Sequence, residues 1–171
     1  MIPVLTTERL SMRGPVAADF EPVAAFLDSD RAAWIGGRRN RAGAWRTFAV
    51  LVGHWELRGY GMWSVEERAT GRLVGMVGLY YPEDWLAPEV GWWIVDPDCD
   101  GKGYACEAAV AARRYAFDIV SWPEVFSVIA PENARSIRLA ERLGATLDRT
   151  VTAPNGRPAS IYRHPAPEAR A

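Results

Sequence analysis

The chain has 171 residues, of which 49% are hydrophobic and 24% are charged, and its formal net charge is −1. This length fits one domain with its own core, and the near-neutral charge argues against the broad basic surface that nucleic-acid binding requires. The N-terminus lacks a basic-then-apolar leader and no apolar run reaches about eighteen residues, which predicts a cytoplasmic protein that does not span a membrane.

Cysteine and histidine are scarce. Cys99 and Cys106 are the two cysteines, and His54 and His164 are the two histidines, far apart in the chain. These residues form no pattern with metal-ligand spacing, and a histidine-based catalytic triad lacks its partners. We therefore expect no metal site.

The first third of the chain predicts one strand followed by helices. Alternating side chains predict a strand over residues 5–13, and apolar residues at helical spacing predict a helix over residues 16–27. A short helical turn over residues 30–35 ends at a pair of glycines, and a long helix over residues 41–58 ends at another glycine.

The middle of the chain predicts three successive strands, over residues 61–66, 73–81 and 89–95. The second of these is apolar almost throughout, as in a strand at the centre of a sheet. A helix over residues 102–120 follows, and its apolar stripe is almost entirely alanine, which would let it lie close to a sheet.

The last third predicts a strand over residues 125–130 and a helix over residues 134–143, for which Asn133 is a suitable N-cap. A hairpin follows, with strands over residues 145–151 and 157–163 joined by a turn that contains Asn-Gly.

This order of elements predicts the fold class. Three successive strands with helices on either side indicate an α/β protein whose mixed, mostly antiparallel sheet has about seven strands and helices on both faces. We expect one domain over residues 1–164 and a frayed tail over residues 165–171, where prolines alternate with small and charged residues.

A Gly-Lys-Gly segment, residues 101–103, precedes the predicted helix over residues 102–120. The N–H groups of a first helical turn have no helical partner and attract anions, and glycines let a phosphate approach the backbone. Lys102 adds a positive charge. The P-loop pattern does not fit, and the dinucleotide fingerprint would need glycine where Cys106 stands. Alone, the segment is typical of an anion site or of a simple turn.

Residues 100–108, Asp-Gly-Lys-Gly-Tyr-Ala-Cys-Glu-Ala, resemble the acetyl-CoA pyrophosphate loop of the GNAT superfamily, specifically of its ribosomal-protein N-terminal acetyltransferase branch. Residues 5–13, 89–94 and 132–145 are similar to further segments of that branch, in the same order. The resemblance covers about residues 5–162. It implies an acetyl-CoA-dependent N-acetyltransferase with a sheet that splays between its fourth and fifth strands.

The resemblance also implies how acetyl-CoA binds, with its pantetheine arm in the splayed gap. The main chain of Ile94 and Val95 would bond the pantetheine amides, and Asn133 would face the arm from the next helix. The pyrophosphate would be held by the main chain of Gly101, Lys102, Gly103, Tyr104 and Ala105.

Ser136 is the candidate proton donor for the leaving thiolate. It stands three residues after Asn133 and matches the serine of the ribosomal-protein branch, whereas the tyrosine of many other members is replaced here by Ala140. The alternative is that Ser136 only caps its helix or faces solvent.

Glu89 is the candidate base that removes a proton from the amine, through water, because a carboxylate of ordinary pKa is a poor direct base for an ammonium group. Glu83 and Asp84 compete for this role, and a surface ion pair or a bond to the backbone is the alternative role of Glu89. By family analogy, a main-chain N–H near Ile94 would stabilise the oxyanion.

The loop departs from the family pattern at Asp98 and carries three aspartates. Asp98 stands where the family often has Arg or Gln, and Asp96 and Asp100 flank it. Like charges weaken phosphate binding unless the side chains point away or cap a helix.

The acceptor amine stays open among a peptide N-terminus, a polyamine-like metabolite and an amino-sugar. By family analogy its groove would be bordered by the helix after Trp34 and by an aromatic set, and Glu83, Asp84 and Glu89 would attract its charge. The aromatic set comprises Trp34, Tyr80, Tyr81, Trp85 and Trp92.

The main hypothesis is direct attack of the amine on acetyl-CoA in a ternary complex. The alternatives are a non-catalytic acyl-CoA-sensing domain of the same fold and a nucleotide-binding regulator. No nucleic-acid or membrane partner is expected, and the oligomeric state is left open, with a homodimer among the options.

Overall fold

The computed structural model describes residues 1–166 and consists of one eight-stranded sheet with helices on both faces. The strands lie in the order β1-β2-β3-β4-β5-β6-β8-β7, and every neighbouring pair is antiparallel except β5 and β6. The predicted fold class is therefore confirmed. Most of the tail predicted over residues 165–171 lies outside the described residues.

The strands are β1 (Leu5–Thr6), β2 (Leu10–Arg13), β3 (Met62–Glu67), β4 (Leu73–Tyr80), β5 (Glu89–Ile94), β6 (Phe126–Ile129), β7 (Thr146–Thr152) and β8 (Pro158–Arg163). The α-helices are α1 (Phe20–Leu27), α2 (Arg41–Arg58), α3 (Tyr104–Asp118) and α4 (Ala134–Arg142), and short 3-10 helices cover Ala17–Asp19, Asp30–Ile35 and Pro97–Cys99.

Residues 5–13 form two strands, β1 and β2, so the prediction of a single strand there is wrong and the sheet has eight strands instead of about seven. The chain reverses after Thr6, so that β1 and β2 pair antiparallel with Leu5 opposite Met12. Thr7 closes the turn, since its N–H donates to the Leu10 carbonyl over 2.9 Å and its hydroxyl accepts from the Leu10 N–H over 3.1 Å. The alternation of side chains in the sequence continues through this turn, so the pattern does not indicate that the chain reverses here.

The two faces of the sheet are covered differently. Helix α3 packs on one face through alanines 108, 109, 112 and 116, which are fully buried against the strands. Helices α1 and α2 cover the other face with larger side chains such as Leu27, Phe48 and Leu51. The predicted alanine stripe is therefore present, although the helix ends at Asp118, before residue 120.

The sheet splays between β5 and β6, as predicted, since these are the fourth and fifth of the predicted strands. These parallel strands pair at one position, Glu89 with Phe126. Past that position the Ser127 hydroxyl donates to the Val90 carbonyl over 2.6 Å, so a side chain replaces a backbone bond. The hairpin of β7 and β8 extends the sheet beyond β6, which leaves the gap flanked by α4.

Candidate functional site

The loop before α3 presents a row of free backbone amides. Gly101 and Gly103 have φ of +76° and +81°, a conformation that residues with side chains rarely adopt, and the helix begins at Tyr104. Within residues 1–166, five N–H groups here donate to no protein acceptor, those of Gly101, Gly103, Tyr104, Ala105 and Cys106. The positive end of α3 and these donors suit a diphosphate.

Contacts from the β1–β2 turn hold this loop in place. Glu107, in the first turn of α3, accepts from the Arg9 side chain over 2.7 Å and from the Thr7 hydroxyl over 2.5 Å. Arg9 also donates to the Lys102 carbonyl over 3.0 Å and lies 4.6 Å above the ring of Tyr104. The side chain of Tyr104 is buried, so only the main chain of this residue can contact a ligand.

The three loop aspartates are each paired with arginine. Asp96 and Asp98 bond to Arg72, which keeps the pKa of Asp96 below its ordinary value. Asp100 bonds to Arg31 over 3.0 Å and lies 3.4 Å from Arg135. The charge that was expected to oppose an anion is therefore offset by cations that sequence spacing could not reveal.

A slot of about 60 Å³ lies in the gap between β5 and β6. Asn133 and Ser136 of the α4 N-terminus line it, together with Trp92. The Asn133 side chain accepts from the Ser136 N–H over 3.2 Å, so Asn133 caps the helix, as predicted, and Ser136 does not. The Ser136 hydroxyl accepts from the Trp92 indole over 3.2 Å, which leaves its own proton available for another acceptor.

Ile94 and Val95 lie at the end of β5, next to Arg31 rather than on the slot. The Arg31 guanidinium donates to the Val95 carbonyl over 2.6 Å and to the Ile94 carbonyl over 3.0 Å. The Val95 N–H donates to Val74 of β4 over 3.0 Å. Each carbonyl keeps a second lone pair, whereas the Val95 N–H is already used within the sheet.

A larger cavity of about 470 Å³ adjoins the slot and shares part of its lining, including Glu89, Gly91 and Trp93 of β5. Its walls come from the 3-10 helix Asp30–Ile35 and the residues after it, from α2, from β3 to β5, from β6 and the residues after it, and from the β7–β8 turn. Its aromatic residues are Trp34, Tyr80, Trp85 and Trp93.

Several residues expected at the acceptor groove lie elsewhere. Trp92 lines the slot instead, and Tyr81 packs 6.3 Å from Trp122 in the core. Glu83 is exposed and pairs with Arg58 over 2.8 Å, and neither it nor Asp84 lines the large cavity.

Glu89 lies where the two openings meet, since it lines both. Its side chain is buried, with 9% exposure, and one oxygen accepts from the Trp85 indole over 2.7 Å. The other oxygen lies over Gly91, where a Cβ would stand only 3.2 Å from it. Burial raises the pKa of Glu89 to about 7, although the Trp85 and Val128 N–H groups act in the opposite direction. The expected ordinary pKa is therefore wrong.

Three arginines on the large cavity were not anticipated. Arg39, Arg46 and Arg157 reach it from the segment after Asp30–Ile35, from α2 and from the β7–β8 turn. No sequence pattern connects these positions, because only the folded chain brings the hairpin turn opposite α2.

The part of the chain that the structure describes holds no group of three or more His, Cys, Asp or Glu side chains able to bind a metal ion. In residues 1–166, no helix is both long enough and apolar enough to cross a membrane.

Comparison with known families decides the assignment. Residues 9–146 match the acetyltransferase (GNAT) domain. The chain belongs to the GNAT acetyltransferase family. This GNAT protein is 28% identical to the uncharacterized N-acetyltransferase YoaA of Bacillus subtilis, over 84% of this chain and 83% of that protein. It is 32% identical to the uncharacterized protein YkkB of the same organism, over 61% of this chain and 62% of YkkB.

Solved structures agree with this assignment. An acetyltransferase from Agrobacterium tumefaciens is 32% identical and superposes with a TM-score of 0.89, over 97% of this GNAT chain and 96% of that chain. Ribosomal-protein acetyltransferases, the branch that the sequence resembles, are among the other structures that share the fold, and one of them was solved with coenzyme A. The predicted superfamily is thus confirmed.

Proposed function

We propose that this GNAT protein transfers an acetyl group from acetyl-CoA to a primary amine by direct attack in a ternary complex. The observation that carries the proposal is the position of Glu89, a buried carboxylate that lines both the slot beside α4 and the large cavity. A residue at that junction can act on an amine in the cavity while the thioester lies in the slot.

The residues of the α3 loop are suited to the coenzyme's pyrophosphate. The free N–H groups of Gly101, Gly103, Tyr104 and Ala105 lie at a positive helix end, and the Lys102 side chain adds charge, whereas the Lys102 N–H donates to the Cys99 carbonyl. Asn133 would face the pantetheine arm, and the Ile94 and Val95 main chain would bond it through the carbonyl lone pairs that Arg31 leaves free. Acetyl-CoA, when bound, supplies the activated acyl group.

Glu89 and Ser136 would transfer the protons. The substrate ammonium gives a proton to Glu89, directly or through water, and the neutral nitrogen then attacks the thioester carbonyl. As the C–N bond forms and the C–S bond breaks, the Ser136 hydroxyl donates its proton to the departing sulfur. The second proton that leaves the nitrogen returns to Ser136 through water, which restores the hydroxyl, and Glu89 gives its proton to solvent. A base with a pKa of about 7 suits proton removal near neutral pH better than an ordinary glutamate would.

The cysteines do not favour an acetyl-enzyme. Cys99 is buried, and burial raises the pKa of its thiol, which lowers the fraction of nucleophilic thiolate. Cys106 lies on α3, which packs on the sheet, and it lines neither the slot nor the large cavity.

Calorimetry with acetyl-CoA, followed by a thiol-release assay over a panel of amines, tests the proposal. We expect binding, and release of free thiol with at least one amine. Binding without release for every amine would instead support an acyl-CoA sensor. Binding of ATP or NAD that coenzyme A does not displace would support a nucleotide-binding regulator.

A further inference from the structure

The large cavity carries an excess of positive charge, although the whole chain has a net charge of −1. Three arginines line it, Arg39, Arg46 and Arg157, against two carboxylates, Glu89 and Glu132. Arginine stays protonated at any pH at which a protein is folded, so this excess is permanent.

The three arginines differ in the hydrogen bonds that their guanidinium groups form. Arg39 donates to the carbonyls of Ile35 and Gly37 over 2.6 and 3.2 Å, so it holds the adjacent loop. Arg46 and Arg157 are exposed, and within residues 1–166 their guanidinium groups form neither a salt bridge nor a hydrogen bond. Two guanidinium groups on separate walls are therefore available to a ligand.

The carboxylates lie at different depths. Glu89 is buried where the cavity meets the slot, whereas Glu132 is exposed like Arg46 and Arg157. The cavity thus has a carboxyl group at its inner end and arginines toward solvent. Trp34, Tyr80, Trp85 and Trp93 supply apolar wall between them.

An amine entering this cavity meets repulsion from the arginines unless it carries a negative charge of its own. Arginine fits carboxylate and phosphate groups because its paired N–H donors match two oxygens. The cavity volume, about 470 Å³, lies in the range of small-molecule sites. Positive charge around a bound amine also favours its neutral, nucleophilic form, since a like charge disfavours the ammonium.

We propose that the acceptor is a small primary amine that also carries an anionic group, a carboxylate or a phosphate, on a partly apolar body. Its amine points inward to Glu89, and Arg46 and Arg157 bind its anionic group near the cavity opening. This inference rests on the proposed acetyl transfer, and it disfavours polyamine-like acceptors.

Matched acceptors test the inference in the thiol-release assay with acetyl-CoA. A series of ω-amino acids of increasing chain length is compared with the corresponding ω-amino amides, ω-aminoalkyl phosphates and diamines, whose reacting amines are chemically alike. We expect kcat/KM for the best anionic acceptor to exceed that of its amide about tenfold, and the diamine to be poorest. The carboxylate and phosphate arms identify the preferred anion.

Charge reversal identifies the residues. Arg46→Glu and Arg157→Glu should each raise KM for the anionic acceptor about tenfold, with a smaller change in kcat, and should raise the relative rate of the diamine. Arg114→Glu is the matched control, because Arg114 is exposed on α3 and does not line the cavity. Acetyl-CoA affinity should be the same in all three variants.

The outcomes separate this inference from the proposed function. Equal kcat/KM for acid, amide and diamine, or unchanged KM in both Glu variants, would overturn the anionic acceptor while leaving acetyl transfer intact. Turnover of acidic peptides but of no small anionic amine would also overturn it, in favour of a peptide substrate. No turnover of any acceptor despite acetyl-CoA binding would contradict the proposed function itself.

Discussion

The loop before α3 and the large cavity are built on different principles. The loop before α3 offers main-chain N–H groups from a few consecutive residues, and its shape depends on two glycines with positive φ. The large cavity is formed by residues from seven separate segments, which lie between residues 33 and 159. Local conformation therefore determines the first site, whereas tertiary packing determines the second, and substitutions should affect the two sites separately.

The largest effect on activity is expected at Glu89, where the slot beside α4 and the large cavity meet. Glu89→Gln removes the base but keeps the size of the side chain, so kcat/KM should fall about 100-fold with acetyl-CoA affinity unchanged. In the wild type, kcat/KM should rise with pH through about 7 as Glu89 loses its proton, and the variant should lack this step. The pH profiles of both proteins measure it.

Glu83→Gln is the control for that variant, because Glu83 is an exposed neighbouring carboxylate outside both openings. It should behave like the wild type. A similar loss in both variants, or in neither, would remove Glu89 as the base.

The burial of Glu89 should also make the free energy of unfolding depend on pH. Its pKa is raised in the folded state, so its contribution is fully favourable below its ordinary pKa of 4.5 and is lost as pH rises through about 7. Between pH 4.5 and pH 8, the free energy of unfolding of the wild type should therefore fall by about 3 kcal/mol relative to that of Glu89→Gln. Urea unfolding at both pH values measures the difference, and a pH-independent difference would contradict the raised pKa.

A substitution in the loop should affect the coenzyme alone. Gly103→Val places a branched side chain at φ of +81° and 3.5 Å from the Arg9 guanidinium, so the dissociation constant of acetyl-CoA should rise at least about tenfold. Gly59→Val is the control, since Gly59 has φ of +75° with open space around it at the end of α2. If both variants bind equally well, the loop does not hold the pyrophosphate.

Ser136→Ala should have a smaller effect on turnover. A thiol with an ordinary pKa near 8.5 is a good leaving group as a thiolate, so loss of the proton donor should lower kcat about fivefold near neutral pH. Acetyl-CoA affinity should stay unchanged, and Ser136→Thr, which keeps the hydroxyl, should recover the rate. Stopped-flow or steady-state thiol release measures kcat, and a wild-type rate for the alanine variant would rule out this role.

The weakest effect is expected for the arginine beside the loop. Arg72→Gln leaves Asp96 and Asp98 without their cation, so acetyl-CoA should bind about threefold more weakly, as expected for exposed charges. The loss should shrink in high salt, because exposed charges are screened. Titration at two ionic strengths measures both effects, with Arg114→Gln as control; unchanged binding would mean that the charges of the aspartates do not reach the anion.

Sequence could predict the features that depend on short segments. Period-2 and helical spacing located β3 to β8 and all four α-helices within a few residues, and Asn133 was correctly placed as the cap of α4. The β1–β2 turn was missed because one strand's alternation ran through it. The splayed sheet, and with it the slot, was expected from the family resemblance and not from these local signals.

What sequence could not predict depends on distant contacts. The arginines that pair with the loop aspartates come from residues 31, 72 and 135, and the raised pKa of Glu89 follows from burial that only the folded chain reveals. The same holds for Arg46 and Arg157, whose segments are more than a hundred residues apart. The acceptor side of the molecule was therefore the less predictable half.

The single backbone pairing between β5 and β6 has a mechanical consequence. Backbone pairing within β1–β5 and within β6–β8 is extensive, whereas one register position pairs the two groups of strands. If acetyl-CoA binds as proposed, we therefore expect the slot to widen for bulkier thioesters, such as propionyl or butyryl derivatives, at little cost in backbone hydrogen bonds. Deuterium uptake should be faster for amides beside that register position than for those within β3 and β4.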